Sequence, residues 1–164
     1  MPSKIQRRLR SLMTLELLNV PLQAWVWFGA VGLPVTAVNA TGFAAFAVLL
    51  VVGAAYWAHK LRQLRRPGLR LPRFFAVARV LLPAALAVVL IVCTVAAVRD
   101  PGRASWPGLG FALFAVLEHI NYFHTQLMYD TRADLRRLFR SGLQRAHLAR
   151  DLRSTASSSA GLPL

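Results

Sequence analysis

The sequence predicts an all-α integral membrane protein: a four-transmembrane-helix bundle with basic amphipathic segments at its cytoplasmic N- and C-terminal ends. Three observations predict it. Hydrophobic residues make up 56% of the 164 positions and gather into long blocks. Charged residues make up only 16%, against about a quarter in soluble domains. The formal net charge is nonetheless +14, and the basic residues stand beside the apolar blocks, where they would face the anionic lipid of a cytoplasmic leaflet. That placement argues against nucleic acid as a partner, because no separate polar domain carries the charge. Arginine outnumbers lysine 18 to 2, which reads as the codon bias of a GC-rich, bacterial genome. The single cysteine, Cys93, lies in an apolar run, where a free thiol acts as a small hydrophobe.

Residues 1–19 form a basic interfacial segment. Lys4, Arg7, Arg8 and Arg10 alternate with Ile5, Leu9, Leu12 and Met13, and Ile5, Leu9 and Leu12 share a helical face. The apolar run after Val20 is longer than the core of a signal peptide, and a second run follows at once. Residues 20–58 are too long for one span and suit two of about 19 residues. The spans are expected at 20–38 and 41–58, with the break at Val38-Asn39-Ala40-Thr41-Gly42, where Asn and Gly supply turn chemistry. Pro34 then falls inside helix 1 as a kink. Asn39-Ala40-Thr41 also matches a glycosylation sequon, but chance is the better reading so close to a bilayer.

Residues 59–73 read as a basic loop carrying Lys60, Arg62, Arg65, Arg66, Arg70 and Arg73 and no acid. A third span is expected at 75–98, with Pro83 as a possible kink and Arg79 about one turn inside its start. Ser105 is placed to cap a fourth span at 106–129, opened by Trp106 and Pro107. Beyond it, 131–153 reads as a basic amphipathic helix with Arg136, Arg137 and Arg140 on its polar side, and 154–164 as a disordered tail. Four spans with both termini in the cytoplasm satisfy the positive-inside rule. Anionic headgroups would face Arg62, Arg65, Arg66, Arg136, Arg137 and Arg140.

The stretch from Glu118 to Asp130 places ionisable and amide groups in an otherwise apolar helix. At 100° per residue Glu118, Asn121, Tyr122, Thr125 and Tyr129 share one face, with His119 and Gln126 on its shoulder, while Leu113, Val116, Ile120, Phe123 and Leu127 face away. A carboxylate deep in lipid is costly, about 2.5–3.5 kcal/mol for aspartate on insertion scales. Glu118 is therefore a functional candidate, or else a neutral hydrogen-bonded tie between helices. On helix 1, Glu16, Asn19 and Gln23 recur at helical spacing. The sequence thus predicts a polar intramembrane cluster of Glu118, His119, Asn121, Tyr122, Gln126, Arg79, Asn19 and Gln23. Arg79 has snorkelling to the headgroups as its alternative.

No catalytic set and no cofactor site is legible. His119 and His124 are spaced as in a desaturase histidine box, but a di-iron centre needs several boxes and the chain holds four histidines. No motif identifies a family. In its four-span size the chain resembles the small multidrug transporters, which carry an essential glutamate in the first span, whereas Glu118 lies in the expected fourth. The leading expectation is a non-enzymatic accessory or interaction subunit, with lipids and a membrane-protein partner or a second copy as its contacts. The alternatives are a small oligomeric transporter or channel with Glu118 as its proton- or cation-coupling residue, and a lipid-directed enzyme.

Overall fold

A computed structural model describes residues 3–125 and 146–152. The elements are α1 (Lys4–Ala24), a π-helical segment (Trp25–Ala30) that continues it, α2 (Ala37–Arg65), α3 (Arg73–Arg99) and α4 (Trp106–Phe123). Residues 147–152 add a short helical turn, and no strand element occurs among the described residues. The expected amphipathic helix at 131–153 lies outside the described residues up to 145, and so do the tail at 154–164, Gln126, Arg136, Arg137 and Arg140.

α2 and α3 are each long and apolar enough to cross a membrane. α2 packs against α1, α3 and α4, and α3 also against α4. α2 accordingly buries residues along its whole length, from Asn39 through Phe46, Leu49 and Gly53 to Tyr56 and His59. α3 buries a narrow line of Phe75, Ala78, Leu86, Cys93 and Ala97 and leaves Val80 72% and Val98 76% exposed. The third helix therefore falls within two residues of its expected position.

The first two helices do not fall where the apolar run suggested. α1 begins at Lys4, because Ser3 and Gln6 form a capping box: Ser3 Oγ accepts the Gln6 N–H (3.2 Å) and Gln6 Oε1 accepts the Ser3 N–H (3.1 Å). Its π-helical continuation ends at Ala30, and two residues on the chain turns at Gly32, whose φ of +65° only glycine adopts freely. Pro34 then disfavours helix for the residue before it, so the chain runs outside helix to Thr36, whose N–H turns back to Pro34 O (2.9 Å), instead of kinking within a helix. The expected break at 38–42 is instead the opening of α2. Thr36 caps that helix by accepting the Asn39 N–H.

Asn39 does tertiary work in place of making a turn. Its Nδ2 donates to Pro34 O (3.0 Å) and Arg103 O (2.9 Å), and its Oδ1 accepts the Gly108 N–H (2.8 Å). The side chain is fully buried, so the sequon is closed to modification. One turn on, Gly42 lets α2 meet α4 backbone to backbone: a Cβ there would stand 2.0 Å from Gly108 O. Arg103 Nη2 donates to Val31 O (2.9 Å), and Thr36 Oγ1 to Ala104 O (2.6 Å). The connections at 31–36 and 100–105 are thus stitched together at one end of the molecule. Ser105 sits at the cap position of α4, but its hydroxyl donates to Asp100 O and does not cap the helix.

The basic stretch after residue 58 is not all loop. α2 runs on to Arg65, which leaves 66–72 as the connection, with Arg62, Arg65 and Arg66 exposed. α4 is shorter than its expected 106–129. It stops at Phe123, where His124 and Thr125 both direct their N–H to Ile120 O and His124 O accepts the Ala146 N–H (3.1 Å).

Candidate functional site

Midway along α2, at Gly53, three helices meet around one hydroxyl. Tyr122 on α4 donates to Glu16 Oε1 on α1 at 2.6 Å. The ring crosses α2 at Gly53, where a Cβ would stand 2.5 Å from the hydroxyl. No side chain other than hydrogen leaves room for that crossing. Glu118, one turn before Tyr122, accepts from Asn121 Nδ2 at 3.4 Å and acts electrostatically on both Glu16 and Tyr122. Glu16 and Glu118 are the only glutamates of the chain, and both act on the same phenol.

The junction opens into a cleft of about 120 Å³ between α1, α2, α4 and the 146–152 segment, lined by Arg8, Leu12, Glu16, Tyr56, Trp57, Asn121, Tyr122 and His147 among others. The segment is fastened from two sides. Tyr56 donates to Asp151 Oδ2 at 2.9 Å, and Lys60 Nζ pairs with the same oxygen at 3.0 Å. Leu148 and Leu152 are buried in the core beside Tyr56 and Tyr122. His147 lays its ring near Trp57, with centroids 6.4 Å apart, and Nδ1 is 3.1 Å from Arg150 Nη2. Loss of water around the imidazole, then the positive charge of Arg150, hold its pKa below the ordinary 6.5.

The predicted polar cluster is divided. Glu118, Asn121 and Tyr122 come together, and their partner on α1 is Glu16. Asn19 and Gln23 form a separate ladder along their own helix: Gln23 Nε2 donates to Asn19 Oδ1 (3.3 Å) and Trp27 Nε1 donates to Gln23 Oε1 (2.8 Å). Arg79 is half-buried on α3 and makes no hydrogen bond or ion pair with a described residue. His119 is buried, stacks on Phe123 at 4.8 Å, and has both ring nitrogens without a partner among the described residues. Phe123, expected on the outward side, is fully buried, while Leu113 is exposed as that side requires.

Sequence reasoning left Arg8, Tyr56, Trp57, Lys60, His147 and Asp151 out of the site. The i, i+4, i+8 stripe of Arg8, Leu12 and Glu16 was a usable signal for α1. No local signal links Tyr56 to Asp151. Among the described residues no group of three His, Cys, Asp or Glu side chains is placed to hold a metal ion. Comparison of the chain with protein-family models, characterised proteins and solved structures found no match.

Proposed function

We propose that the chain is a small multi-pass protein of the bacterial cytoplasmic membrane that acts by binding and not by catalysis, as an accessory or interaction subunit. The lengths support the membrane reading. From Asn39 to Gly53 along α2, and from Gly108 to Tyr122 along α4, the rise is about 21 Å. A hydrocarbon core of about 30 Å would therefore hold the junction in its cytoplasmic half if the Asn39 end faces outward. The basic residues of 4–10 and 60–66 then fall on the cytoplasmic side.

The observation that carries the interaction role is the outer face of α3. Val77, Val80, Leu81, Val88, Ile91, Val92 and Val95 are all exposed along it, a continuous aliphatic stripe that a neighbouring transmembrane helix can cover by close packing. Gentle purification from native membranes tests this. The reading expects a stoichiometric partner, or a second copy, that Val88→Trp displaces and Glu118→Gln does not. Recovery as a bare monomer with no partner would contradict it.

The pairing of Glu16 and Glu118 around Tyr122 favours a second reading, a small oligomeric transporter or channel. Two carboxyls that act on one phenol form a place to hold a proton or a monovalent cation. That reading expects flux into proteoliposomes that Glu118→Gln abolishes while the fold persists. Equal flux in both forms would end it.

A further inference from the structure

A separate cavity of about 250 Å³ lies between α1 with its π-helical continuation, α2 and α4. The rings of Trp27, Phe46, Phe111 and Phe114 line it. Gly110 lines it too, and a Cβ there would meet no atom within 4 Å, so the space is open at that point. Trp27 and Phe114 are both exposed on the flank of the molecule, so the cavity is reached from the side. Trp27 stands in the π-helical segment, a rare backbone form that recurs at functional sites. Among the described residues that line the cavity none is charged, and the Trp27 indole and the Gln23 amide are its polar side-chain groups.

The state of that amide defines what can bind. An indole N–H only donates, so the 2.8 Å bond from Trp27 Nε1 fixes Oε1 of Gln23 as its acceptor. One Nε2 hydrogen goes to Asn19 Oδ1 at 3.3 Å, and the second has no acceptor among the described residues. Gln23 lies nine residues before Gly32, about 13 Å along the helix. On the membrane reading above, that depth is near the middle of a hydrocarbon core of about 30 Å, where no water satisfies an N–H. The occupant is therefore lipid-soluble and uncharged, brings a hydrogen-bond acceptor, and has a flat face for the aromatic walls. A quinone ring has all four properties, since its carbonyls accept and cannot donate. A phospholipid acyl chain fills the same space but leaves the amide unpaired.

We propose that this cavity binds a lipid-soluble quinone, with one ring carbonyl accepting from Gln23 Nε2 and the ring among Trp27, Phe46 and Phe111. The proposal rests on the membrane reading. The full chain is purified in detergent with three of its four tryptophans changed, Trp25→Phe, Trp57→Phe and Trp106→Phe, so that Trp27 reports alone. The probe is decylubiquinone, whose ring quenches indole emission at close range. Decylbenzene, with the same tail and no carbonyl, is the matched competitor.

The expected result is saturable quenching at one site per chain, which a tenfold excess of decylbenzene does not reverse. Gln23→Leu should weaken binding about fivefold, the loss of one neutral hydrogen bond. Gly110→Leu fills the space and should weaken binding more than about tenfold. It also replaces a helix-weakening residue, so its thermal unfolding should come no earlier than that of the parent chain. Val80→Ala, on the exposed face of α3, should leave binding unchanged. Quenching that rises without saturating, or that persists undiminished in Gln23→Leu or Gly110→Leu, overturns the inference. Displacement by decylbenzene as readily as by quinone overturns it too, by making the cavity a seat for any apolar chain. Release of the chain from native membranes by carbonate overturns the membrane reading and this inference together. A retained chain without saturable quenching overturns this inference alone.

Discussion

Tyr122 and Glu16 are 106 positions apart and meet at 2.6 Å across the backbone of a third helix. The contact ties α4 to α1 through the gap left by Gly53. Tyr122→Phe keeps the ring and deletes the donor, so it tests the bond without emptying the interface. A hydrogen bond to an acidic group contributes about 1.5–3 kcal/mol. Thermal unfolding in detergent is expected to show a loss of about that size, with Glu16→Gln, which keeps an acceptor, losing less.

Glycine at 53 and 42 is required by close approach, and the two positions are expected to respond differently. In Gly53→Ala the added methyl meets the Tyr122 side chain, which can swing aside by giving up Glu16. In Gly42→Ala it meets the Gly108 backbone, so two helices must part. Overpacking costs about 1–3 kcal/mol where a side chain can yield, and occasionally more. Gly53→Ala should fall in that range and lose little further stability when combined with Tyr122→Phe. Gly42→Ala should exceed it and add fully to Tyr122→Phe. A double-mutant comparison by thermal unfolding reads both outcomes.

Asn39→Ala is expected to be among the most disruptive changes of a polar side chain. It leaves the buried Gly108 N–H without its acceptor and removes the Asn39 donor from Arg103 O and from Pro34 O, which keeps the Thr36 N–H. An unsatisfied buried group costs about 1–3 kcal/mol. Asn19→Ala breaks only a 3.3 Å bond within one helix and should cost about 1 kcal/mol or less. Equal losses at the two positions would contradict the stitched-end geometry.

Docking of the 146–152 segment should depend on pH through His147. Burial of the ring is the largest cause of its lowered pKa; the positive charges of Arg150, Lys60 and Arg8 add to it and Asp151 opposes them. Docking is then at full strength above the ordinary value of 6.5. As pH falls below it, the undocked segment takes up a proton that the docked one refuses, so docking weakens until the folded pKa is reached. Hydrogen exchange at 148–152, corrected for its intrinsic pH dependence, should show protection falling as pH is lowered from about 7 to about 5. His147→Asn should flatten that profile, and Asp151→Asn should lower protection at every pH.

The parts legible in the sequence were those set by local signals. α3 was readable because a single apolar run stands between Pro72 and the Arg99-Asp100-Pro101 turn. A short interfacial helix was readable from the shared face of Ile5, Leu9 and Leu12, but it was set apart from a span beginning at 20, whereas α1 runs unbroken from Lys4 to Ala24 behind its Ser3–Gln6 capping box. The break between the first two helices was assigned to Asn39 and Gly42, whose turn chemistry was outweighed by tertiary contacts with Gly108 and Arg103. Of the site, the α4 face of Glu118, Asn121 and Tyr122 followed from helical periodicity. Its partner on α1 did not: Glu16, Asn19 and Gln23 look equivalent on a helical wheel, and only the position of Gly53 selects Glu16. Asp151 could not be linked to Tyr56 and Lys60 by any pattern, since the contact depends on the chain returning after residue 125.

The most direct test is the sidedness of the connections in sealed inside-in membrane vesicles. Cys93 is buried and can be replaced by serine, and single cysteines are then introduced as Pro101→Cys or Arg66→Cys. The account predicts that an impermeant maleimide labels position 101 from outside and reaches position 66 only after permeabilisation. Labelling of both positions without permeabilisation, or of position 66 alone, would contradict a chain that spans the membrane with its basic ends in the cytoplasm.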